Sequence, residues 1–124
     1  MRPRSRRDSF FVGPSITRVG LDVTLQCVMS DSQVADFRAA NKPHAHFLAD
    51  LIALWAHPIT LHDPLTLLTS FDDCVTFEPK RIEVGLCADT RGLTITTEGE
   101  TNCRVAISVD SERAKSVFLK RIAV

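Results

Sequence analysis

The residues best suited to chemistry in this chain are a histidine and an aspartate that stand side by side, His62 and Asp63, followed by Pro64. An imidazole titrates near neutral pH, so His62 could donate a proton or a hydrogen bond to a departing group. Asp63 could offer a hard oxygen ligand to a cation. The alternative is structural, because Asp-Pro is an ordinary helix start worth about 1 kcal/mol as a cap. From these residues alone, both interpretations stay open.

Other candidate sites are weaker. His44 and His46 are two residues apart on a predicted helix and point away from each other, so we do not expect them to form a metal site with His57 and His62. Asp72-Asp73 is the only pair of adjacent carboxylates in the sequence. Because it follows a predicted helix and has no glycine beside it, we predict a solvated turn there.

The four cysteines contain no C-x-x-C pair and fall in apolar-patterned segments, which argues against a zinc site and against a disulfide framework. We therefore predict buried, reduced thiols, since free cysteine is among the most buried residue types. No spacing favours a Cys-His nucleophilic pair, whose members would meet only in space. These cysteines are Cys27, Cys74, Cys87 and Cys103.

Length and charge favour one domain without a polyanionic partner. The 124 residues suffice for one core, and the 15 basic and 15 acidic side chains cancel, so neither nucleic acid nor a membrane is expected as a partner. No apolar run approaches the ~20 residues of a membrane span, which predicts a cytoplasmic protein. Residues 1–14 are predicted to be a basic, disordered tail, with a targeting or nucleic-acid-binding arm as the alternative; the basic residues are Arg2, Arg4, Arg6 and Arg7.

Hydrophobic periodicity predicts the elements that lead to His62. Apolar residues alternate from Val19 to Cys27, which predicts a strand. Ser30 and Gln33 fit a capping box for a helix over about 31–40. A second helix is predicted from Pro43 to near residue 56, with an apolar stripe that packs firmly: Phe47, Leu48, Leu51, Ile52, Leu54 and Trp55. A third, short helix should begin with Asp63 as its N-cap.

Beyond that helix the pattern changes to strands. Alternating residues predict strands over 82–88, around Leu93 and Ile95, and over 103–109, with turns at Arg91-Gly92 and Glu98-Gly99 that favour antiparallel pairs. Asp110 is predicted to cap a last helix. Its apolar face would comprise Ala114, Val117, Phe118 and Ile122. Helices and strands together predict an α/β fold.

Five segments also follow one another in a recognisable order: Val19-Gly20-Leu21-Asp22-Val23-Thr24, Phe47-Leu48-Ala49-Asp50-Leu51, His62-Asp63-Pro64-Leu65, Arg91-Gly92-Leu93-Thr94-Ile95 and Val109-Asp110. With these segments, the chain from about Ile16 to Ile122 resembles the C-terminal part of the inosine-uridine preferring nucleoside hydrolases. The resemblance implies that residues 15–124 form a partial domain, the C-terminal portion of a mostly parallel sheet with flanking helices and a peripheral antiparallel section.

The resemblance also implies an activity. Family members hydrolyse the N-glycosidic bond of purine and pyrimidine ribonucleosides to base and ribose, with a calcium ion that holds the sugar and the attacking water. Asp63 matches a calcium ligand of the family. His62 matches a histidine near the base, proposed in some members to protonate the leaving group, so it would be both a catalytic and a substrate-binding residue.

The chain departs from the family's pattern in the rest of the site. It has no counterpart of the aspartate-rich loop that supplies most calcium ligands and the general base, and the ribose-clamping Glu-x-Asn segment is replaced by Arg7-Asp8-Ser9-Phe10-Phe11. We therefore expect the chain alone to bind calcium weakly and to be inactive. Apolar faces left uncovered would favour a homo-oligomer or association with a full-length relative. The alternative is a non-catalytic remnant that acts as a binding or oligomerisation module.

Overall fold

A computed structural model describes residues 15–55 and 57–123, so the predicted tail over 1–14 lies outside the described residues. The elements in chain order are β1 (Ile16–Arg18), α1 (Leu21–Thr24), α2 (Asp31–Ala39), α3 (Pro43–Leu54), α4 (His62–Leu68), β2 (Val75–Val84), a 3₁₀ turn (Ala88–Thr90), β3 (Thr94–Thr97), β4 (Cys103–Val109) and α5 (Ser111–Ala123). The predicted α/β class is confirmed. Within these two ranges, no helix has the length and apolar character needed to span a membrane.

The four strands form one sheet in the order β1-β4-β2-β3. β1 runs parallel to β4, with Ile16 opposite Cys103, while β2 and β3 are antiparallel, with Ile82 opposite Thr96. The antiparallel pair predicted across Arg91-Gly92 is confirmed, but the pair predicted across Glu98-Gly99 is wrong, because β4 lies beside β2 and not beside β3 among the described strands. Gly92 and Gly99 take the positive φ angles of their predicted turns. Most of the sheet that this chain supplies is antiparallel, and β1–β4 is the parallel pair within the part of the chain that the structure describes.

The chain divides into two compact units. Of the described residues, the first unit comprises 15–18 and 77–105, and the second comprises 19–55, 57–76 and 106–123. In the first unit, the Asn102 side chain bonds both backbone groups of Ile82, accepting from its N–H at 2.9 Å and donating to its carbonyl at 3.2 Å. The second unit holds the α-helices and the largest fully buried side chains of the described residues, which are Phe37, Leu61, Leu65, Val23 and Cys27.

The strand predicted over Val19–Cys27 is wrong. The segment forms the short helix α1, in which the Gly20 carbonyl accepts from the N–H groups of Val23 at 3.1 Å and Thr24 at 3.0 Å. Val23, Thr24 and Cys27 are buried, a helical spacing, whereas Leu21 is 66% exposed. The alternation gave a wrong prediction because two of its five apolar positions, Leu21 and Leu25, face solvent in this structure.

Local capping signals predicted the starts of two helices, α2 and α5, correctly. The Ser30–Gln33 capping box is present in both directions and starts α2. Asp110 caps α5 as predicted, since its Oδ1 accepts from the Arg113 N–H at 3.0 Å. β4 has the predicted bounds, but the strand predicted over 82–88 ends at Val84 and is wrong for residues 85–88. β2 also begins earlier, at Val75, before the residues whose alternation predicted it. Charged Glu78 and Lys80 interrupt that earlier part, so its pattern is not apolar.

The prediction that the large apolar stripe of α3 packs firmly is wrong for most of the stripe. The side chains that α3 buries are Ala45 and Ala49, and Leu54 is 84% exposed. Phe47, Leu51 and Trp55 are exposed as well. The small residues allow a close approach to the core, whereas Leu48 and Ile52 are only half-buried.

The turn at Asp72-Asp73 also differs from the prediction. The Asp72 side chain is only 15% exposed and receives two hydrogen bonds from the Arg113 guanidinium, at 2.9 and 3.3 Å. The Asp72 carboxylate raises the pKa of Arg113. The predicted burial of the thiols is correct for Cys27 and Cys74, whereas Cys87 is exposed; all four cysteines are free.

Candidate functional site

The candidate site begins at the N-terminus of α4. The helix starts at His62 with Leu61 as its N-cap, so the prediction that Asp63 caps it is wrong: Asp63 is the second helical residue and Pro64 the third. Proline is tolerated there because the first N–H groups of a helix have no acceptor within the helix. His62 and Asp63 thus share the first turn of α4.

Backbone hydrogen bonds fix the approach to this turn. Residues 59–61 pair with residues 27–29 through the Met29 N–H to the Ile59 carbonyl, at 2.8 Å, and the Leu61 N–H to the Cys27 carbonyl, at 3.0 Å. Val28 and Thr60 form an antiparallel bridge. This pairing places the end of α1 beside the start of α4, two segments that lie far apart in the sequence.

The consequence is a direct contact between His62 and Thr24. The Thr24 hydroxyl oxygen lies 2.8 Å from the imidazole Nδ1, although the two residues are 38 positions apart. Thr24 is 3% exposed, while His62 is exposed. Thr24 was not predicted as a site residue, although it ends one of the five family segments.

An apolar cavity of about 470 Å³ adjoins His62. Its lining residues include the aromatic Trp55 and Phe118, the aliphatic Leu51 and Ile59, and His62. Cavities of this size that are mostly apolar and carry a few polar groups are typical of small-molecule sites. The geometry therefore suits a flat apolar group that also accepts a hydrogen bond.

The residues present do not by themselves fit a calcium ion. Asp63 is exposed in the first turn of α4, and in the part of the chain that the structure describes no three His, Cys, Asp or Glu side chains gather to hold a metal. Calcium takes about six to eight oxygen ligands. Two of the other histidines are engaged elsewhere: His44 Nε2 lies 2.8 Å from the Ile122 carbonyl, and the His57 ring contacts Trp55 edge-on.

Comparison with solved structures gives the same fold. The purine-preferring ribonucleoside hydrolase from Gardnerella vaginalis is 31% identical, with a TM-score of 0.78, over 92% of this chain and 41% of that chain. A plant nucleoside hydrolase has the same TM-score at 23% identity, over 93% of this chain and 43% of that one, which shows the fold alone. The chain thus spans about two fifths of these structures.

The sequence comparisons give one family. No curated protein matches the chain. The family model described as inosine-uridine preferring nucleoside hydrolase matches residues 7–116, which is most of the sequence. The chain therefore belongs to the inosine-uridine preferring nucleoside hydrolase family.

Proposed function

We propose that this chain forms the base-facing part of a ribonucleoside N-ribohydrolase site. In the reaction, water adds its oxygen to C1′ of the ribose, the bond between C1′ and the base nitrogen breaks, and the base leaves with the electron pair and gains a proton. The observation that carries the proposal is the position of His62, which lies at an apolar cavity and is held by Thr24.

His62 would act on the leaving base. Negative charge develops on the base as the bond breaks, and an N–H donor placed beside it stabilises that charge more in the transition state than in the substrate. A positioned proton donor typically contributes about 10²–10⁴-fold to the rate. The aromatic and aliphatic walls of the cavity would hold the planar base, because its faces are largely apolar.

Asp63 would contribute one carboxylate to a cation site whose other ligands come from elsewhere. Its position directly after His62 supports this role, since both side chains leave the same helical turn. The proposal is therefore that the chain does not catalyse by itself, and that carboxylates from a further polypeptide segment or a partner complete the site.

A complementation assay tests this function. Release of free base from inosine and uridine would be measured for the chain alone, and for the chain mixed with a polypeptide that carries the family's aspartate-rich loop, with calcium in both samples. We expect no release by the chain alone, release by the mixture, and a loss of about 10²–10⁴-fold for His62→Ala in the mixture. Glu98→Gln, at an exposed position, is the control variant for base release by the mixture. A mixture that releases no base would overturn the proposal.

A second candidate is a non-catalytic module that binds a second copy of this chain or a full-length relative. The exposed apolar side chains of α3 favour it, because contiguous apolar surface is typical of association sites.

For either candidate function we propose a cytoplasmic location. The four free thiols support this location, since reduced cysteines are usual in that compartment.

A further inference from the structure

We infer that Thr24 is a positioning residue for His62: its hydroxyl donates a hydrogen bond to Nδ1 and so holds the imidazole in the tautomer that carries its proton on Nε2. The observation is the 2.8 Å contact between the Thr24 hydroxyl and Nδ1. This inference deepens the proposed function, and its catalytic consequence rests on it.

The backbone around Thr24 is fixed on both sides. Its N–H donates to the Gly20 carbonyl at 3.0 Å, and its own carbonyl accepts from the Cys27 N–H at 2.9 Å. A threonine side chain is also stiff at χ1, because Cβ carries two heavy atoms. The hydroxyl is therefore held at a fixed place in the buried end of α1.

The His62 imidazole is less restrained than the Thr24 hydroxyl. His62 is exposed, so packing restricts the rotation of its ring less than it would in a core. Its backbone is fixed by the hydrogen bond that its N–H donates to the Thr60 carbonyl at 3.0 Å. The Thr24 hydroxyl is a buried polar group, and such groups are almost always hydrogen-bonded. One contact thus satisfies the hydroxyl and orients the imidazole.

The direction of this hydrogen bond decides what His62 can offer a ligand. A neutral imidazole has one N–H donor and one acceptor nitrogen. When Nδ1 accepts from Thr24, Nε2 carries the hydrogen and can donate to an acceptor atom of a heterocyclic base. In the opposite tautomer Nε2 would be an acceptor and would repel the electron-rich leaving nitrogen.

Nitrogen-15 NMR of the full chain labelled at histidine tests the assignment without any substrate. Spectra would be recorded at about pH 8, which is above the pKa of about 6.5 for histidine in a model peptide. We compare the unmodified chain with Thr24→Val, which keeps the shape but removes the hydroxyl, and with Thr24→Ser, which keeps the hydroxyl. Exposed His46 gives an internal reference for a ring that exchanges between tautomers.

We expect His62 to show widely separated nitrogen shifts, with Nε2 protonated, in the unmodified chain and in Thr24→Ser. In Thr24→Val the two shifts should move toward those of His46. A proton on Nδ1 in the unmodified chain, or unchanged His62 shifts in Thr24→Val, would overturn the inference. Thr24→Ser serves as the control for folding, because it also changes this buried residue but keeps the hydroxyl.

The complementation assay separates this inference from the proposed function. In an active mixture, Thr24→Val should lower kcat by about tenfold or more with little change in KM, and Thr24→Ser should restore most of the loss, because orientation acts on the chemical step. An active mixture in which Thr24→Val keeps full kcat would contradict the positioning role. A mixture without activity, together with the expected NMR shifts, would reject the hydrolase proposal and leave the Thr24–His62 assignment standing.

Discussion

At the residue scale, burial divides the cysteines into two chemical classes. Burial raises the pKa of the Cys27 and Cys74 thiols, and for Cys74 the nearby Asp72 carboxylate raises it further. The thiolate is the reactive form, so both residues are poor nucleophiles at neutral pH. Cys87 is exposed and is the natural target for a thiol reagent. A catalytic role for a cysteine is therefore not favoured by its surroundings.

The pH dependence of stability follows from these thiols. Because the pKa of Cys74 is higher in the folded chain than in the unfolded chain, its contribution is present below the unfolded pKa and is lost as pH rises through the folded value. We expect the free energy of unfolding in urea to fall between about pH 7.5 and 10, and to fall less steeply in Cys74→Ala. Cys87→Ala is the matched control and should follow the unmodified chain. Equal slopes for all three proteins would contradict this expectation.

At the element scale, α3 shows that residue size does not predict burial. The helix buries Ala45 and Ala49 while Ala53 is exposed, and the Arg38–Asp50 ion pair, at 3.1 Å, joins the surfaces of α2 and α3. Close approach of two helices requires small side chains at the contact, so Ala45 and Ala49 are placed where larger residues would not fit. Four of the six large apolar residues of the stripe are consequently exposed.

Two substitutions of opposite size test this arrangement. Ala49→Leu should destabilise the chain by about 1–3 kcal/mol, because added methylene groups in a packed contact force neighbouring side chains to move. Leu54→Ala removes a larger apolar side chain but should change the free energy of unfolding by less than about 0.5 kcal/mol, since the residue is mostly exposed. Urea denaturation of both variants measures the difference. If Leu54→Ala proved the more damaging, the orientation of α3 would be wrong.

At the scale of the whole molecule, the chain carries more apolar surface than its own fold can cover. The solved relatives extend over more than twice the length that this chain matches. The second unit exposes large apolar side chains on three of its helices: Leu21, Phe47, Leu51, Leu54 and Leu67. Exposed apolar surface of this extent favours association, and the expected partner in a pure sample is a second copy of the chain.

Sedimentation of the purified chain tests this association. We expect an average mass above the 13.8 kDa of one chain, rising with concentration. The double variant Phe47→Glu/Leu54→Glu should shift the population toward the monomer, because a carboxylate is costly to bury in an apolar contact. Ala35→Glu adds one carboxylate, half the charge of the double variant, to an exposed position of α2 and should leave the association unchanged. A monomeric unmodified chain would rule out the self-association.

Features that depend on residues close together in the chain could be predicted from the sequence alone. The capping box at Ser30, the Asp110 cap and the glycine turns were predictable because each involves groups within a few residues of one another. The family and the α/β class were also predictable, because an ordered set of short segments carries them. His62 and Asp63 were found in this way, as neighbours in the chain.

Only the tertiary structure decided which apolar residues are buried and what surrounds His62. The alternation over Val19–Cys27 and the stripe of α3 show which residues are apolar. Whether those residues are buried depends on which other segments pack against them. Thr24 reaches His62 because the residue 27–29 segment pairs with residues 59–61, and no local pattern encodes that pairing. Contacts between distant segments arise from packing of the whole chain, which a single sequence does not display.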